Sequence, residues 1–138
     1  MKHLKSWFLL ILAMIIMILS SITAFARNGI APRWDYLMMM SADMDVTSYN
    51  AATVHAEVSS DSRDVDELKV TITIQQFDGG WKDYKTWTVN VDDNFATIKK
   101  QTAIPKGYSY QIELTAKAYK NGKFLESATE VFDYGFYQ

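Results

Sequence analysis

The chain has 138 residues, no cysteine and two histidines, so the side chains able to do chemistry are few. His55 is the one histidine beyond the apolar N-terminal stretch. Nucleophilic catalysis would need it between a serine and an acid, and no Gly-x-Ser-x-Gly turn offers such a serine. Parity places His55 on the polar side of a strand, between Val54 and Ala56. Zinc sites draw on several His and Cys ligands, which the chain lacks. The composition therefore argues against an enzyme and implies no cofactor.

Carboxylates are more plentiful. Asp43 and Asp45 share a strand face, Asp61, Asp64, Asp66 and Glu67 crowd one polar segment, and Asp92, Asp93 and Asn94 share another. Extracellular domains use such oxygens for Ca²⁺, and Asp61, Asp64 and Asp66 are the weak candidates. None follows a spaced calcium-loop pattern. Asp and Asn also favour turns because they bond to their own backbone, so no metal is expected.

Aromatic residues are the one compositional lead. Trp81, Tyr84 and Trp87 lie within one short stretch, and Trp or Tyr rings on a flat sheet can stack on sugars or anchor a protein partner. Trp87 shares parity with Val89 and is expected in the core. Trp81 follows a Gly-Gly turn and should show one ring face, and Tyr84, of opposite parity to Trp87, should point outward.

The elements that hold these residues read as strands. ELKVTITIQQF (67–77) alternates β-branched and polar residues, as a strand with one wet face does. Asp78-Gly79-Gly80 then turns the chain into WKDYKTWTVNV (81–91). Residues 50–59 and 108–119 alternate similarly, 95–102 reads as a less regular strand and 123–132 as the last one, and Asn121-Gly122 is a strong hairpin signal. The stretch RWDYLMMM, from Arg33, is apolar on both sides, whereas SADMDV after it is one-sided. Strict alternation puts Trp34, Tyr36, Met38 and Met40 on one face and Asp35, Leu37 and Met39 on the other. A strand crossing between two sheets would explain that change, with Met adapting to the seam. The three methionines should not all enter one core. The expected fold is all-β, a two-sheet immunoglobulin-like sandwich of about seven antiparallel strands, preceded by an N-terminal signal-peptide helix.

The first 26 residues read as a signal peptide. Lys2 and Lys5 precede an apolar run from Trp7 to Leu19, and Ala24 and Ala26 occupy the two positions a signal peptidase reads. The run is shorter than the ~20 residues of a spanning helix, and the alternative is an uncleaved anchor, which would be the only membrane contact. Cleavage would leave 27–138 as a single domain with 12 basic and 16 acidic residues. That balance disfavours nucleic acid and anionic membranes as partners.

Three features resemble immunoglobulin-like and fibronectin-type-III-like modules: the strand KVTITIQQF with its hairpin, the segment PKGYSYQIELTAKAYKNGK and the strand count. Tyr108 or Tyr110 stands where such folds carry a corner tyrosine that bonds to nearby backbone. The chain departs from them in lacking both cysteines and the usual core Trp positions. The signal segment with "APRW", "GGW…W" and "GYSYQIELTA" also resembles an uncharacterised family of short secreted single-domain proteins of Gram-positive, clostridia-like bacteria. That resemblance implies an extracellular location and transfers no activity. The expectation is a non-enzymatic module that binds cell-wall polysaccharide or a surface protein. The alternative is a structural protein that self-associates through an exposed edge strand.

Overall fold

The computed structural model describes residues 34–138. The signal segment, Ala24, Ala26 and Arg33 lie outside the described residues. Seven strands follow in order: β1 Leu37–Val46, β2 Ala51–Ser60, β3 Glu67–Phe77, β4 Trp81–Val91, β5 Phe95–Ala103, β6 Tyr108–Lys120 and β7 Lys123–Tyr137. They form two antiparallel sheets, β1-β2-β5 and β4-β3-β6-β7. The fourth strand stays beside the third and does not join the first sheet, unlike the constant-type immunoglobulin arrangement.

The core follows the alternation. Ala52, Val54, Ala56 and Val58 of β2 face Leu68, Val70, Ile72 and Ile74 of β3 and Ile112, Leu114, Ala116 and Ala118 of β6, all buried. These β-branched and small side chains fill the space between sheets spaced roughly 10 Å apart. Val65 and Ile104, buried on the connecting loops, add to the same core. On the outer face of the larger sheet, threonine hydroxyls pair across strands: Thr71 with Thr88, Thr73 with Thr86, Thr115 with Thr129. Each pair steadies its ladder by a few tenths to about 1 kcal/mol.

Strict alternation fails at four places, each on an edge strand. Met38, Tyr84, Leu125 and Tyr134 are extra residues in β1, β4, β7 and β7, shown by the register shifts at Leu37/Met39, Ile74/Gln75, Ala118/Tyr119 and Tyr110/Gln111. A bulge inserts one residue and exchanges the faces of everything beyond it. In β1 this corrects the parity reading. Leu37 is buried, Met38 is 70% exposed, Met39 is exposed and Met40 is buried. The methionines divide between solvent and core as expected, but Leu37 takes the inward place assigned to Met38.

The first segment reaches the second sheet through a side chain. Glu126, on the inward side of edge strand β7 opposite buried Ala118, accepts the backbone N–H groups of Asp35, Tyr36 and Leu37 at 2.9, 3.0 and 2.8 Å. Partial burial alone would raise its pKa, but the three N–H donors outweigh this and hold it below the ordinary 4.5. Its stabilising contribution is therefore present above pH 4.5 and lost as pH falls through the lowered folded-state value. Glu126→Gln should lower the free energy of unfolding at neutral pH by about 1–2 kcal/mol, read as a lower urea midpoint. The gap from wild type should narrow on acidification below pH 4.5, as paired urea titrations from pH 7 to pH 3 would measure.

Candidate functional site

The candidate site is built from the ends of the four strands of the larger sheet, on its outer face. Cross-strand register places Trp81 beside Phe77, Phe77 beside Ser109, and Ser109 beside Phe136. The next row is Asp83, Gln75, Gln111 and Asp133, and the third is Thr86, Thr73, Glu113 and Val131. With strands spaced about 4.8 Å apart, the aromatic row is roughly 14 Å long. Trp81, Phe77 and Phe136 are 43, 46 and 58% exposed. Trp81 and Phe77 meet edge to face, with ring centroids 5.3 Å apart, a favoured aromatic geometry.

Two bulges make this row. Strict alternation would place Trp81 on the same side as Trp87, which packs against the core. Tyr84 interrupts the count, so Asp83 and Trp81 turn outward. Phe136 would likewise share the inward side with Phe132, but Tyr134 interrupts and Phe136 turns outward. Gly135, beside that bulge, has φ +100°, a conformation glycine adopts without steric cost. The two bulges flank the Gln75–Gln111 row from opposite sides, one on each edge of the sheet.

Tyr110 fixes the central strands beside that row. It is fully buried, donates its hydroxyl to the Pro105 carbonyl at 2.6 Å and accepts from Gln76 Nε2 at 2.9 Å. It is the corner tyrosine that the segment around residue 110 leads one to expect. Burial, first among its influences, pushes the phenol above its ordinary 10.0, so it stays a neutral donor and acceptor. With Gln76 and Tyr110 turned inward, Phe77, Gln75, Ser109 and Gln111 must face outward.

The polar row has a fixed direction. Asp83 can only accept when ionised, so Gln75 presents its amide nitrogen to it at 2.9 Å. The Gln75 carbonyl then accepts from Gln111 Nε2 at 2.7 Å. Planar amides and carboxylates are thus held in line beside exposed rings, a surface able to stack on a flat ligand and accept its hydrogen bonds.

The three aromatic residues singled out in the sequence do not share one face. Trp81 belongs to the aromatic row. Tyr84, as the bulged residue, reaches across the mouth between the sheets, where its hydroxyl donates to the Ala103 carbonyl at 2.9 Å and its ring meets Tyr110 edge to face. It is partly exposed but does not stand on the outer face that alternation assigned to it. Trp87 is half-buried, with Lys85 over its ring. Phe77, Phe136, Gln75, Gln111, Asp83 and Asp133 were not marked by sequence. The available signal was Gly135 inside an alternating segment, since a strand glycine often marks a bulge.

Two of the three acids named for a metal, Asp61 and Asp66, have partners within the protein. Asp61 accepts from Arg63 Nε and Nη2 at 3.0 and 2.6 Å, and these side-chain bonds draw its carboxyl down to about 2. Asp66 accepts from the Asn121 backbone N–H. Among the described residues no three His, Cys, Asp or Glu side chains converge on a metal position. On the outer face of the other sheet, His55 lies in an open groove of about 280 Å³ with Ser41, Asp43 and Glu57. The Asp45 carboxylate is 4.0 Å from its Nε2, beyond hydrogen-bond length.

No family model and no curated protein matches the chain. Among solved structures it is similar to a D341A D367A calcium-binding mutant of Bacteroides uniformis β-glucuronidase 2, at 17% identity and TM-score 0.42. It is also similar to that enzyme covalently bound to cyclophellitol-6-carboxylate aziridine, at 16% identity and TM-score 0.41. Each match covers 68% of this chain and 13% of the other. The chain thus spans about an eighth of their length, and the likeness carries nothing about activity.

Tyr110→Phe should cost about 1–3 kcal/mol, because it strands the Gln76 amide and the Pro105 carbonyl. Urea unfolding should show a lower midpoint with an unchanged slope.

Proposed function

We propose that the protein is a secreted, non-enzymatic binding module whose ligand is a glycan of the cell surface or wall, taken on the outer face of the β4-β3-β6-β7 sheet. The observation that carries this reading is the row of Trp81, Phe77 and Phe136 beside the oriented line of Asp83, Gln75, Gln111 and Asp133. Sugars present apolar C–H faces to aromatic rings and hydroxyl edges to planar acceptors. An extended hexose chain repeats at close to the strand spacing, so a few sugar units span the row. The signal-like first 26 residues and the resemblance to short secreted proteins of Gram-positive bacteria favour an extracellular role.

Self-assembly by strand addition is the less favoured reading. Bulges interrupt β1, β4 and β7, three of the four edge strands, and such interruptions blunt an edge against a further strand.

The test is affinity electrophoresis of the mature domain in gels containing soluble cell-wall polysaccharides. Trp81→Ala and Phe136→Ala should each weaken retardation at least about tenfold, as loss of an anchoring aromatic does. Tyr84→Phe, which removes only the hydroxyl bonded to Ala103, should leave it unchanged. Retardation indifferent to both aromatic replacements would put the ligand on another surface.

A further inference from the structure

We infer that this face selects glycan chains free of acidic groups, lying across the strands along the aromatic row. The inference rests on the glycan-binding reading and adds its chemical class. Across its first three rows the face holds the carboxylates of Asp83, Glu113 and Asp133 and, among the described residues, no lysine or arginine. The outer-face lysines, Lys69 and Lys117, stand in the fifth row. That is three row spacings beyond the polar line, roughly 20 Å along the strands and more than a Debye length at physiological salt.

Cations nearer the aromatic row are otherwise engaged. Lys82, opposite inward Gln76, pairs with Asp78 at 3.3 Å. Lys85 lies over the Trp87 ring, and Lys106 lies over Tyr137, which packs against the core. None of the three projects from the outer face: Lys82 and Lys85 stand opposite the inward Gln76 and Ile74, and Lys106 lies on the turn before β6.

The hydrogen-bonding capacity left for a ligand is mostly accepting. Asp83 fixes the amide of Gln75, which in turn fixes that of Gln111. Gln111 Oε1, the second Asp83 oxygen, and the carboxylates of Asp133 and Glu113 remain as acceptors, against one further N–H on each glutamine, the Ser109 hydroxyl and the Trp81 indole N–H. A neutral sugar satisfies these with hydroxyl protons. A uronate or a phosphate-bearing chain brings further acceptors and like charge, and like charges set together across an interface are disfavoured.

The orientation follows from the same groups. The rings run perpendicular to the strands, and the polar line runs parallel to them one row away. A chain stacked on Trp81, Phe77 and Phe136 therefore turns one hydroxyl edge towards the polar line along its length.

The deciding experiment compares a neutral gluco-oligosaccharide with its C6-oxidised uronate counterpart of the same length and linkage. Binding is measured by calorimetry at low and moderate salt, with wild type, Trp81→Ala and the double variant Glu113→Gln/Asp133→Asn. The expected result is Trp81-dependent binding of the neutral chain, at least about tenfold tighter than the uronate at low salt, with the gap shrinking as salt rises. The double variant should bind the uronate more tightly than wild type does. Equal or tighter Trp81-dependent binding of the uronate by wild type would overturn the selectivity while leaving the glycan site standing. Absence of Trp81-dependent binding to either chain would overturn both.

Discussion

The buried hydroxyl of Tyr110 is the constraint on which the rest is arranged. A phenol fully removed from water must find partners or lose several kcal/mol. It finds them in the Pro105 carbonyl and the Gln76 amide. One side chain thereby joins the turn before β6 to the end of β3. Because strand side chains alternate, the inward choice at Gln76 and Tyr110 dictates the outward choice at Phe77, Gln75, Ser109 and Gln111. The edge strands are brought into the same pattern by bulges at Tyr84 and Tyr134. Tyr84 packs its ring against Tyr110 itself, so the bulge and the corner belong to one cluster.

The bulges serve two ends. A sandwich without disulfides relies on packing, and its unpaired edges invite association. Interrupting β1, β4 and β7 blunts those edges. Two of the same interruptions carry Trp81 and Phe136 from the inner to the outer face. Glu126 belongs to the same management of edges. It is an inward-pointing charge on edge strand β7, satisfied by the backbone of the segment leading into β1. One carboxylate discourages a further strand and ties the two sheets together at their open side.

Much of this was legible in the residues. β3 and β4 begin and end where their alternation and the Asp78-Gly79-Gly80 turn indicate, and the core residues follow from parity. The corner tyrosine was marked by its place after a Pro-Lys-Gly turn. The bulges were not legible, because a bulged residue carries no compositional mark. Tyr84, Tyr134 and Met38 look like ordinary strand residues, and only pairing with a neighbour shows that one is extra. Counting from Trp87 therefore misplaced Tyr84, and counting from Met40 misplaced Leu37. The last strand was read only over 123–132, whereas β7 continues past the bulge at Tyr134 to Tyr137. Phe136, and with it the row, was hidden by that early stop. The polar row was hidden for a different reason: Gln75, Gln111, Asp83 and Asp133 are far apart in sequence and become one line only through the order β4-β3-β6-β7.

Paired bulges assemble an aromatic and amide surface on one outer face, and a neutral glycan is the ligand proposed for it. Side-chain amide and indole resonances provide the most direct test of that proposal, because Gln75, Gln111, Trp81 and Trp87 each carry a reporter N–H. In ¹⁵N-correlated NMR spectra of residues 27–138 titrated with a neutral oligosaccharide, the side-chain signals of Gln75, Gln111 and Trp81 should shift together with one saturation curve, and the Trp87 indole should stay in place. Shifts centred instead on Met39, His55 and Phe95 of the opposite sheet, with Gln75 and Trp81 unmoved, would contradict it.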